Sequence, residues 1–97
     1  MALRVVFRPQ AEDEALEVRQ WYESRRAGLG QEFGRAMDVV VTRIATSPLT
    51  FPRVHSETRR AVLARFPYAI YFRVAEDAVV VLAIHGRQHA SRWQSRS

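Results

Sequence analysis

The chain has no cysteine. That removes disulfides, thiolate nucleophiles and Cys-ligated zinc together, and fits a reducing compartment. It has no lysine either, because all 15 basic residues are arginine. Charge is therefore fixed and forked onto phosphate or carboxylate, and no ammonium group is at hand to serve as a base. Long apolar runs are also missing. The longest, Ala78 to Ile84, is far short of the ~20 residues that span a bilayer. The N-terminus, from Met1 to Arg8, has no extended apolar stretch of the signal-peptide kind. These absences predict a soluble, cytoplasmic protein with no membrane association. No phosphate-binding loop, dinucleotide fingerprint, HExxH or Ser/His/Asp order occurs, so no cofactor is expected.

The 97 residues present are 47% hydrophobic and 26% charged, an ordinary globular mixture. One domain over 1–97 is expected, burying roughly 60–65% of its unfolded surface. Charge is distributed unevenly. Residues 1–50 hold seven Arg and seven acids, whereas residues 51–97 hold eight Arg and three acids, so the whole +5 lies in the second half. A positive half of this kind attracts phosphates or an acidic partner.

Periodicity gives the elements. Leu3–Phe7 reads as a short strand ended by Pro9, which suits the first turn of a helix. That helix runs to about Arg26 with an apolar stripe of Ala11, Ala15, Val18 and Tyr22. Glu12, Asp13, Glu14 and Glu17 read as its solvated first turns. Gly28 is a left-handed stop. A second helix, from about Gln31 to Thr46, carries Phe33, Met37, Val40, Val41 and Ile44 on one face. So short a connection makes the two helices an antiparallel hairpin. Residues 48–57 contain two prolines and read as a loop. Three strands follow, at about 59–66, 68–75 and 78–85, the last two joined as a hairpin by Glu76-Asp77. The third is apolar on both faces and belongs in the middle of the sheet. The sum is an α+β two-layer fold, β-α-α-β-β-β, with a helical hairpin packed on a mostly antiparallel sheet.

The segment from Arg59 to Arg73 alternates arginine with aromatic and β-branched residues, and His85-Gly86-Arg87 ends the following strand. Arg59, Arg60 and Arg65 read either as edge charges that oppose aggregation or as contacts to an acidic protein or nucleic acid. Tyr68 and Tyr71 read as sheet packing or as stacking platforms, and Trp21 as core margin or partner contact. Phosphodiester cleavage needs a base, an acid and cations for the developing charge. His85, Arg65, Arg73 and Arg87 supply those residue types. His85 and His89, four apart across Gly86 and without a nearby carboxylate, do not make a metal site.

In order along nearly the whole chain stand Trp21-Tyr22, Gly28-Leu29-Gly30 with Phe33, and Ile44…Pro48…Phe51-Pro52. Then come Arg59-Arg60, Arg65-Phe66-Pro67-Tyr68…Tyr71 and His85-x-Arg87…Trp93. In this order the chain resembles the RelE/ParE superfamily of bacterial type II toxins, with the ParE-like branch preferred. The resemblance implies a toxin neutralised by a cognate antitoxin in a hetero-oligomer. A ParE-like toxin poisons DNA gyrase and performs no chemistry of its own. A RelE-like toxin is a ribosome-dependent mRNA endonuclease, for which His85, Arg65 and Arg87 would be catalytic. A third reading is an inactive module that only binds an antitoxin. Target or antitoxin contacts are expected at Arg59, Arg60, Arg65, Tyr71, Arg73, Arg87 and Trp93. The lack of lysine, and of an obvious Tyr after His85, departs from the RelE-like pattern and weighs against the nuclease.

Overall fold

A computed structural model describes residues 2–86. The elements are β1 (Arg4–Phe7), α1 (Pro9–Arg25), α2 (Leu29–Thr46), a 3-10 turn (Pro48–Thr50), β2 (Arg53–His55), β3 (Thr58–Val62), β4 (Tyr68–Ala75) and β5 (Ala78–Gly86). The five strands form one sheet in the order β1-β5-β4-β3-β2. Every pairing is antiparallel except β1 with β5, which is parallel. The two-layer α+β architecture is the one the sequence predicts, with one short strand added. That strand, β2, lies in the proline-bearing stretch expected to be a loop. Its three residues carry no readable period, and Ser56 at φ 51° turns the chain straight into β3.

The helical hairpin forms as its stripes require. Ala11, Phe33, Met37, Val40 and Ile44 are buried, and Ala15, Val18, Tyr22 and Val41 pack against them. The sheet contributes Ala61, Ile70, Phe72, Val79, Val81 and Ile84 to the same core. Tyr22, Phe33, Phe66 and Tyr68 form an aromatic knot, with ring centroids 4.9 to 6.2 Å apart in mostly edge-on pairs. Edge-on geometry sets positive ring edges against negative faces. Burial, and next the neighbouring Tyr68, push the Tyr22 hydroxyl above its ordinary pKa.

The connection between the helices is held from inside the chain. Gly28 has φ 90°, open to glycine at no steric cost. The Glu23 carboxylate accepts the N–H groups of Gly28 (2.9 Å) and Gly30 (3.0 Å). It thereby occupies donors that start α2 and would otherwise be left to water. Those two bonds, first Gly28 and then Gly30, hold the Glu23 carboxyl below the ordinary carboxylate pKa, with Arg19 adding to the effect. No helix among the described residues is long and apolar enough to cross a membrane.

Candidate functional site

The arginine-bearing segment divides between two faces of the sheet, and register decides which residue goes where. Arg59 lies opposite Phe72, and Arg60 lies opposite Tyr71. Phe72 belongs to the core under the helices, so Arg59 shares that side. Its Nη1 donates to the carbonyls of Phe51 (2.7 Å) and Leu49 (3.3 Å). Arg59 thus ties down the 3-10 turn. Arg60, Tyr71 and Arg73 share the outer face, away from the helices.

That outer face is not a bare platform. Ala69, Tyr71 and Ala83 are buried there, with Val54 of β2 packed against them. Tyr71 has no exposed surface, so of these three only Arg60 and Arg73 keep partial access to solvent. Arg65 stands in the turn between β3 and β4 with φ 71°. It reaches toward α2, where its Nη2 lies 3.8 Å from Glu32 Oε1. Arg87 and Trp93 lie outside the described residues.

His85 closes β5, and its surroundings follow from how the sheet edge is built. β1 covers β5 only as far as Val81. There the Arg8 N–H bonds to the Val81 carbonyl (2.9 Å), and α1 departs. The remaining edge of β5 is met by a side chain from α1. Glu14 Oε1 accepts the Ile84 N–H (3.0 Å), and Glu14 Oε2 lies 2.6 Å from His85 Nε2. A carboxylate only accepts, so it selects the imidazole form with its proton on Nε2. Nδ1 is buried and has no hydrogen-bond partner among the described residues.

A β-bulge sets the direction of this histidine. Phe72 pairs with Val81 and Tyr71 with Ala83, so Leu82 is one residue more than β4 supplies. The extra residue reverses the parity of the strand. Val79 and Val81 face the helices before it, and Ile84 does so after it. Without it, His85 would fall opposite Tyr68 and face the helices, as Ile84 does. With it, the ring lies 6.5 Å from that of Tyr71 at the outer margin.

Of the expected set of His85, Arg65 and Arg87, the described residues show His85 engaging α1 and Arg65 engaging α2, and Arg87 lies outside them. Glu14 was missed because it sits among four acids that read as a solvated turn. Its position carried the signal. Counting three from Ala11 and four to Val18, Glu14 lies within the apolar stripe, where a carboxylate requires a partner. Among the described residues, no three His, Asp or Glu side chains cluster so as to hold a metal ion.

No protein-family model matches the sequence, and no curated protein matches it. Solved structures do. A chain of the chromosomal ParDE TA system from P. aeruginosa aligns with a TM-score of 0.77 at 15% identity, over 88% of this chain and 96% of that one. The toxin–antitoxin complex RelBE2 from Mycobacterium tuberculosis gives 0.65 at 15%, over 90% and 100%. A mutant of the E. coli toxin RelE in the free state gives 0.68 at 17%, over 99% and 94%. At these identities the shared property is the path of the backbone through helical hairpin and sheet, and this chain has the RelE/ParE toxin fold.

Proposed function

We propose that this chain is the toxin of a type II toxin–antitoxin pair, ParE-like in action. It arrests growth by binding DNA gyrase in the cytoplasm and is neutralised by a cognate antitoxin. The observation that carries the preference for a binding toxin over a nuclease is the state of His85. It is 5% exposed, and its Nε2 is committed to Glu14. A general base must reach the proton it abstracts, and a buried ring held in this way is better suited to fastening β5 to α1. The higher TM-score of the ParDE chain, against 0.65 and 0.68 for the other two, agrees with that preference. Arg60, Arg65 and Arg73 are the contact residues proposed from the described part, and Arg87 and Trp93 those proposed beyond it. Arg59 and Tyr71, committed to internal packing, support such contacts rather than make them.

The alternative, an mRNA endonuclease acting on the ribosome, draws on one specific observation. A carboxylate that holds Nε2–H leaves the lone pair of Nδ1 as a base. Two assays separate the readings. Purified chain is incubated with gyrase, ATP and supercoiled plasmid, and linear DNA is quantified after denaturation. Gyrase-dependent linear product is expected, and its absence overturns the gyrase reading. His85→Gln, which keeps a polar group beside Glu14, is expected to leave growth arrest intact. Loss of arrest by a folded His85→Gln variant transfers the argument to the nuclease. Wild-type expression without any slowing of growth overturns both in favour of an inactive antitoxin-binding module.

A further inference from the structure

The helical hairpin turns one side to the sheet and the other to solvent, and the solvent side is not uniformly polar. The stripe of α1 through Ala11, Ala15 and Val18 packs into the core. Leu16 follows Ala15 by one residue, so it projects about 100° further round the helix. It is 54% exposed and stands on the rim of a groove of about 590 Å³ between α1 and α2. Phe7, Ala15, Phe33 and Met37 line the apolar floor of that groove. Gly34 also lines it and adds no side chain to fill it.

The rims carry charge in a definite order. Along α1 the rim runs Glu12, Leu16, Arg19, at the spacing that keeps residues on one helix face. Beside it α2 runs antiparallel, and the Arg19 guanidinium lies over Gly34. Asp38, one turn beyond Gly34, falls back toward Glu12, while Arg35 stands next to Gly34. The groove therefore has an acidic end at Glu12 and Asp38, with Arg19 and Arg35 displaced toward the other end. Two acids balance two arginines here, although the chain as a whole carries +5. Among the described residues, none of these four side chains closes a salt bridge within the chain.

We infer that this groove seats a second copy of the chain, the two hairpins packing face to face about a two-fold axis beside Leu16. A two-fold interface sets the same patch against itself with its ends exchanged. Glu12 of each copy then meets Arg19 of the other, and Asp38 is brought toward Arg35. The two Leu16 side chains meet near the axis and cover the apolar floor. Charge selects this occupant: a partner of one sign would satisfy one end and oppose the other, whereas a copy brings both signs in the reversed order. The size fits a reversible assembly. α1 has 17 residues, about 25 Å of helix. Two helices side by side, about 20 Å across, then cover roughly 500 Å² per copy, the low end of specific interfaces. The outer sheet face with Arg60 and Arg73 lies away from the helices and stays open in each copy.

Dimerisation of this kind is independent of the gyrase reading, and its test does not use growth arrest. Sedimentation velocity of the purified chain, loaded from low to high micromolar concentration, reads the assembly. A reversible monomer–dimer equilibrium in the micromolar range is expected. Leu16→Glu, at an exposed helix position, is expected to weaken it about tenfold or more while the thermal melt of the monomer stays in place. Glu12→Arg sets cation against cation across the axis, and Arg19→Glu sets acid against acid, so each variant alone is expected to stay monomeric. Mixed in equal amounts, the two variants complement each other, and dimer is expected to return. A wild-type chain that remains monomeric throughout, a dimer indifferent to Leu16→Glu, or reversal variants that fail to pair when mixed overturns the inference.

Discussion

Gly30→Ala and Gly34→Ala test the packing of the hairpin by requiring opposite signs from one chemical change. Both residues lie in α2. Intrinsic propensity alone favours alanine at each, by up to ~1 kcal/mol. The surroundings differ. A Cβ on Gly30 would stand 2.7 Å from the backbone carbonyl oxygen of Arg19 and 2.9 Å from Glu23 Oε1. Neither can yield freely. The carbonyl belongs to α1, and moving the carboxylate loosens its bonds to Gly28 and Gly30. Overpacking costs about 1–3 kcal/mol, and an approach of 2.7 Å to backbone belongs at the upper end, about 2–3 kcal/mol, so after the propensity gain a net loss of about 1–2 kcal/mol remains. For a domain near 100 residues that lowers Tm by roughly 4–16 °C. A Cβ on Gly34 meets only the end of the Arg19 side chain, Nη1 at 3.2 Å. That guanidinium swings aside at little cost, so Gly34→Ala keeps most of the propensity gain and raises Tm by about 4–8 °C. Thermal melts followed by circular dichroism at constant pH and salt decide the matter. A Gly30→Ala protein as stable as wild type would refute the close approach of α2 to α1. A destabilised Gly34→Ala would refute the claim that Arg19 can move.

Three further outcomes follow from the same structure. Glu14→Ala strands the Ile84 N–H and the His85 ring in a largely buried place, which costs about 1–3 kcal/mol, whereas Glu14→Gln can still accept the Ile84 N–H and should lose less. Ring nitrogen shifts should report the Nε2–H form of His85 in wild type and not in Glu14→Gln, and identical spectra would count against the contact. Glu23 has its carboxyl held below the ordinary 4.5, so it contributes stability above the unfolded value that is lost as pH falls through the folded one. On acidification wild type should therefore lose more Tm than Glu23→Gln, with the Gly28 and Gly30 amide shifts tracking the titration. Arg59→Met should destabilise by about 1.5–3 kcal/mol through loss of charged hydrogen bonds, and exchange of the amides from Leu49 to Phe51 should quicken. Unchanged exchange there would show that the 3-10 turn does not depend on Arg59.

Most of the architecture was legible because helices and long strands announce themselves by period. The stripes of α1 and α2, the left-handed Gly28 and the two-residue turn at Glu76-Asp77 each depend on residues close in sequence. Glu76 does take a positive φ of 53° there, without the asparagine or glycine that usually marks such a turn. β2 escaped notice because three residues are too few for alternation to show. The division of Arg59 from Arg60 was open to reasoning about parity, yet which face each would occupy depended on Phe72 and Tyr71 across the ladder. No local pattern supplies that pairing.

The candidate site was harder to read for one definable reason: its geometry is set by two edges of the sheet, and an edge has no sequence period. Residue types suggested a converging set of His85 and arginines on one face. The Leu82 bulge does turn His85 to the outer face, yet Arg65 stands in the turn between β3 and β4 and reaches Glu32 of α2 instead. Because the side-chain period is two, one inserted residue moves His85 from the face occupied by Ile84 to the outer margin. There Glu14 meets it, and Glu14 belongs to a helix some seventy positions away, as the 71-residue separation of the pair records. The same reasoning applies to the opposite edge. Val62 looks ordinary in sequence, and its N–H is left outward because the pairing of β3 with β2 stops at Arg59. Where strands stop decides which polar groups the sheet must satisfy itself and which it offers to a partner. At β5 the chain supplies the carboxylate from within.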